Sequence, residues 1–412
     1  MRLSTPELTS GAWLRPSFWG MTSIRRAAVA AALALVLPLP IAAAAPAFAA
    51  APSAEASAGP APVGFTAELP RPTGPYAVGR DLLHLVDQHR RDPWVPSAGA
   101  RQLMVSMYYP ARPGSGVPAS YMTTDEARLF LQEKAPGSGI PPEALTTVRA
   151  WARTDARPAP GRFPLVLLSP GFTLPRALFS SVAEDLASRG YVVALIDHTY
   201  ETPGVTFPDG QTLPCAICDQ PPTGGLPAVA ESRAKDASFV IDRLTSAHSP
   251  WSYAHLIDRR RIGMAGHSIG GDAAAVTMAA DRRVRAGVNM DGTFQVPVPT
   301  TGLDGRPFLL FGAQSDESPG MDSSWDDAWT SLDGWKRRLT IAGAEHGTFS
   351  DLPLLSQAVG RPSPPGAIAP LRGLAITRTY LGDFFDLQLK GEPEPLLDGP
   401  SPDEPEVAVQ LP

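Results

Sequence analysis

Cysteine is nearly missing from this chain: two residues, Cys215 and Cys218, stand in one Cys-Ala-Ile-Cys step among 412 residues. Two thiols without neighbouring histidines cannot make a zinc site. Pro214 and the Pro221-Pro222 pair put the step in a loop rather than at a helix start, which argues against thiol-redox chemistry. In an exported protein the same pair reads as a disulfide closing a surface loop. A basic stripe is also lacking, since the net charge of −6 is spread along the chain, and this excludes nucleic acid as a partner. No apolar run is long enough for a convincing membrane span, and no internal repeat is present. Histidine is scarce, with seven in all and only His346 after residue 267.

At the N-terminus, Arg25 and Arg26 precede an apolar run from Ala27 to Leu37, and Ala47-Phe48-Ala49 offers a small-x-small cleavage site. Residues 1–49 therefore read as an export signal, with Met21 a candidate true start. Residues 50–69 read as a flexible leader, residues 70–390 as the catalytic domain, and the acidic, proline-rich residues 391–412 as a disordered tail. Secretion is the expected location.

A hydrophobic content of 43% supports a large core. Leu165-Val166-Leu167-Leu168-Ser169 and Tyr191 to Ile196 are continuous apolar runs, the mark of strands buried on both faces. The helical spacing of Leu178, Val182 and Leu186 lies between them, so a βαβ unit and a parallel sheet follow. Arg101 to Tyr109 alternates as a strand, and Thr124 to Glu133 starts well as a helix. Further strands are expected at Val284 to Met290, Pro307 to Gly312 and Leu339 to Ala342, with a last helix from about Leu371 to Leu389. The Pro- and Gly-rich excursion 199–225, which holds both cysteines, reads as a lid or pocket wall.

The stretch that organises the rest is Gly266-His267-Ser268-Ile269-Gly270. A Gly-x-Ser-x-Gly pentapeptide is weak evidence alone. Here it sits between an apolar run and a small-residue helix, the context of a strained strand-to-helix turn that lifts a nucleophilic serine above a sheet. A serine hydroxyl needs a base and an acid that orients the base. In hydrolases with this turn the order is Ser, then Asp or Glu, then His, so His346 is the candidate base. Asp291 and Asp316 each end a strand, and the local residues leave both open as the acid. The two oxyanion donors are expected at the Ile269 and Phe172 amides, with Gly171 permitting the turn that aims the second. His267 is expected to pack behind the elbow. His198 is a candidate for lining the pocket, and Phe294, Trp325, Trp329 and Trp335 either wall a cleft or fill the core.

Several stretches together resemble the plasma, or lipoprotein-associated, platelet-activating factor acetylhydrolases: Pro72-Thr73-Gly74-Pro75-Tyr76-Ala77-Val78-Gly79, Ser169-Pro170-Gly171-Phe172, Asp185-Leu186-Ala187-Ser188-Arg189-Gly190-Tyr191, Asp197-His198, the Gly266–Gly271 elbow and His346-Gly347-Thr348-Phe349-Ser350-Asp351. The resemblance implies an α/β-hydrolase fold, a mostly parallel central sheet flanked by helices with a long lid-like insertion. It puts the acid at Asp291. It implies calcium-independent ester hydrolysis with no cofactor and no metal, and it extends weakly to phospholipids with short or oxidised acyl chains, with transient contact to a lipid interface. The chain departs from the family in carrying Pro170 where a histidine is usual, and in its cysteine pair. The rival expectations are a broad triglyceride or polyester hydrolase of the cutinase type, whose acid follows the later strand, and a silent lipid- or partner-binding protein on the same fold.

Overall fold

The computed structural model describes residues 67–220 and 222–412. The export signal, the Met21 start and most of the leader lie outside the described residues. In chain order the main elements are strands β1 (Ala77–Arg91) and β2 (Ala100–Ala111), helix α1 (Thr124–Lys134), β3 (Phe163–Ser169), α2 (Ser180–Ser188) and β4 (Val192–His198). They continue with α3 (Gly225–Thr245), β5 (Ile257–His267), α4 (Ile269–Ala280), β6 (Val284–Met290), β7 (Phe308–Ala313), β8 (Lys336–Ile341), α5 (Pro370–Phe385) and β9 (Val407–Gln410).

The sheet order is β9-β8-β7-β6-β5-β3-β4-β2-β1, followed by two short strands at Arg153–Thr154 and Val117–Pro118. From β4 to β8 neighbouring strands are parallel, while β2 runs antiparallel to β4 and β9 antiparallel to β8. The continuous apolar runs are explained by this: β3 and β4 are buried along their whole length, with helices on both faces. One face packs Leu178, Val182 and Leu186 with Ile376, Tyr380 and Phe384 of α5. The other packs Val240 and Leu244 of α3 with Ala274 and Met278 of α4. At α1 the Thr123 hydroxyl accepts from the Glu126 amide and the Glu126 carboxylate accepts from the Thr123 amide, a capping box that fixes the helix start.

Two boundaries differ from the sequence reading. Ordered structure begins inside the stretch read as leader: Ala67 and Leu69 are buried, and the Leu69 amide donates to the Arg149 carbonyl. The stretch read as a disordered tail contains β9, which pairs Val407–Gln410 with Arg338–Ile341. The apolar alternation of Val407 and Val409, and a fully buried Leu397, outweigh the acidic composition. Arg372 moreover pairs with both Glu404 and Glu406, so these acids are held rather than repelled. The long β1 was not anticipated, because its charged residues alternate irregularly on a half-exposed strand. No helix among the described residues is long and apolar enough to cross a membrane.

Candidate active site

The elbow forms where β5 meets α4. Ser268 has φ 55° and ψ −127°, a left-handed backbone that costs a non-glycine residue about 1–3 kcal/mol. Its neighbours leave no room for side chains. A Cβ on Gly266 would lie 2.0 Å from the Gly270 carbonyl oxygen, and one on Gly270 would lie 2.1 Å from that of Ser169. The two outer glycines of the pentapeptide are thus required by close backbone approach. The Ser268 amide donates to the Met290 carbonyl at 2.8 Å, tying the elbow to the end of β6.

Asp291 follows directly, with φ 57° and its carboxylate 2% exposed. One oxygen accepts from the Ala313 amide at 2.6 Å and the other from His346 Nδ1 at 2.6 Å. The turn beneath it is closed by Asn289, which accepts from the Gly292 amide and donates to the Gly292 carbonyl, while Trp325 Nε1 donates to the same carbonyl. Asp316 lies elsewhere. It is exposed in a single turn of helix, Gln314–Glu317, and the structure does not bring it to His346.

His346 begins a short 3-10 turn, stapled by the Glu345 and Thr348 side chains, and its ring is 56% exposed. With Nδ1 donating to Asp291, Nε2 of the neutral ring carries the lone pair. His267 packs beneath it, as the sequence suggested, with ring centroids 4.5 Å apart. Its Nε2–H donates to the His346 carbonyl at 2.7 Å. Burial, reinforced by the neighbouring His346, pushes the His267 imidazole down to about 3, so it stays neutral there.

On the other side of the elbow, the Phe172 and Ile269 amides make no hydrogen bond among the described residues. The nearby Thr173 and Gly271 amides are used, donating to the Glu201 and Ser268 carbonyls. Gly171 serves differently from the expectation. Thr173, with φ 63°, makes the left-handed turn, and a Cβ on Gly171 would come within 2.7 Å of His267 Nδ1. The loop is braced from beneath by buried Arg233, which donates to the Pro170 carbonyl and to Glu201. His198 does not line the pocket. It is 2% exposed, hydrogen-bonded to Ser169 and Asp236 in the same buried network. His198, Glu201 and Asp236 lie close enough to suggest a metal site. Arg101 and Arg233 already occupy the two carboxylates, so the donor set does not fit a cation.

Of the two readings of the aromatics, core filling is the one the structure shows. Trp325 and Phe294 fill the core on the α3–α4 face, and Trp335 packs on Phe384. The apolar cluster at the site consists of Ile217, Val229, Ala230 and Ile269, with Phe172, Leu226 and Val296 partly exposed around it. Cys215 and Cys218 form a disulfide, and Ile217 between them is brought against this cluster. Sequence reasoning found the loop but missed Ile217, because an isolated isoleucine in a polar loop has no periodicity to mark its face.

A family model described as platelet-activating factor acetylhydrolase, isoform II, matches residues 64–209 and 240–363. A relative from Arthroderma benhamiae, named probable 1-alkyl-2-acetylglycerophosphocholine esterase, is 33% identical over 375 residues, covering 82% of this chain and 92% of its own. The platelet-activating factor acetylhydrolase of Canis lupus familiaris is 23% identical over 285 residues, 58% of this chain and 63% of its own. Among solved structures, a ferulic acid esterase from Streptomyces cinnamoneus is 44% identical, with a TM-score of 0.75, covering 83% of this chain and 99% of that one. The chain belongs to the platelet-activating factor acetylhydrolase, isoform II, family and is a carboxylester hydrolase of the α/β-hydrolase fold.

Proposed function

We propose that this protein is an exported serine esterase that cleaves short acyl groups from lipid or small-molecule esters through Ser268, His346 and Asp291. The observation that carries the reading is the 2.6 Å bond from His346 Nδ1 to a buried carboxylate that follows the elbow serine in the expected order. His346 Nε2 removes the Ser268 proton as the hydroxyl attacks the ester carbonyl. The free Phe172 and Ile269 amides hold the oxyanion. His346 then returns the proton to the leaving alcohol, and water, activated by the same nitrogen, releases the acid and regenerates Ser268. Asp291 keeps His346 in the tautomer that makes this possible. No cofactor takes part.

Export rests on Arg25, Arg26 and the Ala47–Ala49 cleavage pattern. A short sn-2 acyl phospholipid is the first substrate class, in line with the family. The 44% identity to a ferulic acid esterase favours a second reading, in which aromatic acyl esters enter the same cleft. Both readings use the apolar cluster of Phe172, Ile217, Leu226 and Val296 as the acyl wall. The test is a substrate panel on the mature protein: a short sn-2 acyl phospholipid, methyl ferulate, p-nitrophenyl esters from acetate to palmitate, and a triglyceride emulsion. Fastest turnover of the phospholipid and acetate supports the first reading, and fastest turnover of methyl ferulate supports the second. Preference for long chains or the emulsion contradicts both and points to a lipase.

A further inference from the structure

A polar cavity lies at β1, β2 and the end of β4, two to four strands across the sheet from the elbow strand β5. Its volume is about 290 Å³, and Arg80, Ser106, Tyr108, Tyr121, Glu126 and Arg176 line it. Its rim carries Leu82, Pro118, Ser120 and Thr123, of which Leu82 is half exposed and the others exposed, so the cavity communicates with solvent. Arg80 projects from β1, opposite Tyr108 on β2.

The charges in this cavity are unevenly matched. The Arg176 guanidinium is occupied by Asp197 and the Ser106 hydroxyl, with Glu126 3.8 Å away. Glu126 is itself held by the Thr123 and Thr206 amides. Arg80 is more than nine-tenths buried, its Nε has no partner, and among the described residues it forms no ion pair. The Glu184 carboxyl near it does not supply the missing charge. One of its oxygens accepts from the Trp151 and Ala152 amides, the other is buried without a partner, and burial pushes this carboxyl up to about 8. Burial thus favours the uncharged form of Glu184. The Tyr108 hydroxyl is bonded to Ser180 and that of Tyr121 to Asp351.

We propose that this cavity binds a small oxyanion, a carboxylate or a phosphate, on the guanidinium of Arg80, whose Nε is unpartnered and which lies against the Tyr108 hydroxyl without an ion-pair partner among the described residues. A buried cation without a counter-ion is unfavourable, and the planar guanidinium fork matches an oxyanion in two parallel hydrogen bonds. The volume lies at the bottom of the range for ligand pockets. It suits inorganic phosphate or an anion the size of benzoate rather than a whole phospholipid. The site is separate from the proposed ester-cleaving residues and does not depend on that assignment.

The test measures melting temperature for the intact protein titrated with sodium phosphate or sodium benzoate, against sodium chloride at matched ionic strength. A saturable rise with either oxyanion is expected, as for any ligand that binds the folded state alone. The rise should be absent in Arg80→Gln, whose hydrolysis of p-nitrophenyl acetate should stay within about twofold of wild type. Response to phosphate alone, to benzoate alone or to both supports the site and identifies its ligand. Should Arg80→Gln fail to fold, Arg80→Lys keeps the charge without the fork and should weaken binding about tenfold. The same titration on protein labelled at Ser268 with a fluorophosphonate separates this cavity from the ester site. Binding retained after labelling supports the proposal, and binding lost places the anion at Ser268 instead. The absence of any saturable rise, or an equal rise in both Arg80 variants and wild type, overturns it.

Discussion

Asp291 holds a rigid position because both of its oxygens are committed, one to the Ala313 amide and one to His346, with the turn locked by Asn289 and Trp325. Asp291→Asn should therefore lower kcat by about 10³- to 10⁴-fold by disfavouring the working tautomer of His346, while Asp316→Asn leaves kcat within about twofold. Steady-state kinetics on the two variants decide between them, and the reverse result would move the acid to Asp316. Residue chemistry also predicts a pH effect beside this site. Glu317 is buried with one oxygen unpartnered, and burial, with Asp291, Asp322 and Asp316 nearby, pushes its carboxyl up to about 9 against the weaker pull of Arg338. The folded state thus keeps a proton that the unfolded chain releases near 4.5. Stability is full below that value and falls as pH rises toward 9. Glu317→Gln should remove this loss, so its melting temperature should gain on wild type steadily from pH 5 to 9. A difference between the two proteins that does not change with pH would contradict the assignment. In the sequence Ser268 and His346 stand out as candidates, one by its glycines and one because no other histidine lies beyond Ser268. Asp291 was only half legible, since the bonds that separate it from Asp316 come from Ala313 and His346, 22 and 55 residues away.

At the scale of elements, the parallel strands were readable because burial on both faces makes them uniformly apolar, as in β3 and β4. Edge elements were not. β1 carries charge on a half-exposed face, and β9 is four residues in an acidic setting. Each is specified by its neighbour more than by its own pattern. Ending the chain after Lys390 should remove β9 together with buried Leu397 and Val407 and leave the β8 edge unpaired. A fall in melting temperature of several degrees or loss to aggregation is expected, and unchanged melting would show that the tail is dispensable. The disulfide loop is the other informative element. Its ring is short, so the link itself stabilises the fold by only about 2 kcal/mol on the chain-entropy account. Its larger effect is to bring Ile217 against Phe172 and Ile269. Ile217→Ala should raise KM for p-nitrophenyl butyrate by roughly tenfold and change acetate much less. Equal effects on both esters would mean that the loop does not touch the acyl chain.

Over the whole molecule, stretches that resembled the family serve two different ends. The elbow, the Ser169–Phe172 turn and the His346 turn meet around Ser268. The Pro72–Gly79 and Asp185–Tyr191 stretches lie elsewhere and brace one another: the Thr73 amide and hydroxyl donate to Asp185, the Gly74 amide donates to Ser188, and Arg378 of α5 closes the group on Asp185. Sequence likeness alone could not separate these roles, because both kinds of residue are fixed by contacts made at long range. The buried network of Arg101, Arg233, Glu201 and Asp236 is likewise charge-matched within the protein, so treatment with a chelator should leave ester hydrolysis unchanged. A loss restored by added calcium or zinc would contradict that expectation.

The most direct test of the central claim is mass-spectrometric mapping of a fluorophosphonate adduct, run with p-nitrophenyl acetate hydrolysis on wild type and Ser268→Ala. The account predicts one adduct, on Ser268, whose formation abolishes turnover. It also predicts that Ser268→Ala takes no label and loses at least about 10⁴-fold in kcat. An adduct on another residue, or near-wild-type turnover without the Ser268 hydroxyl, would contradict it.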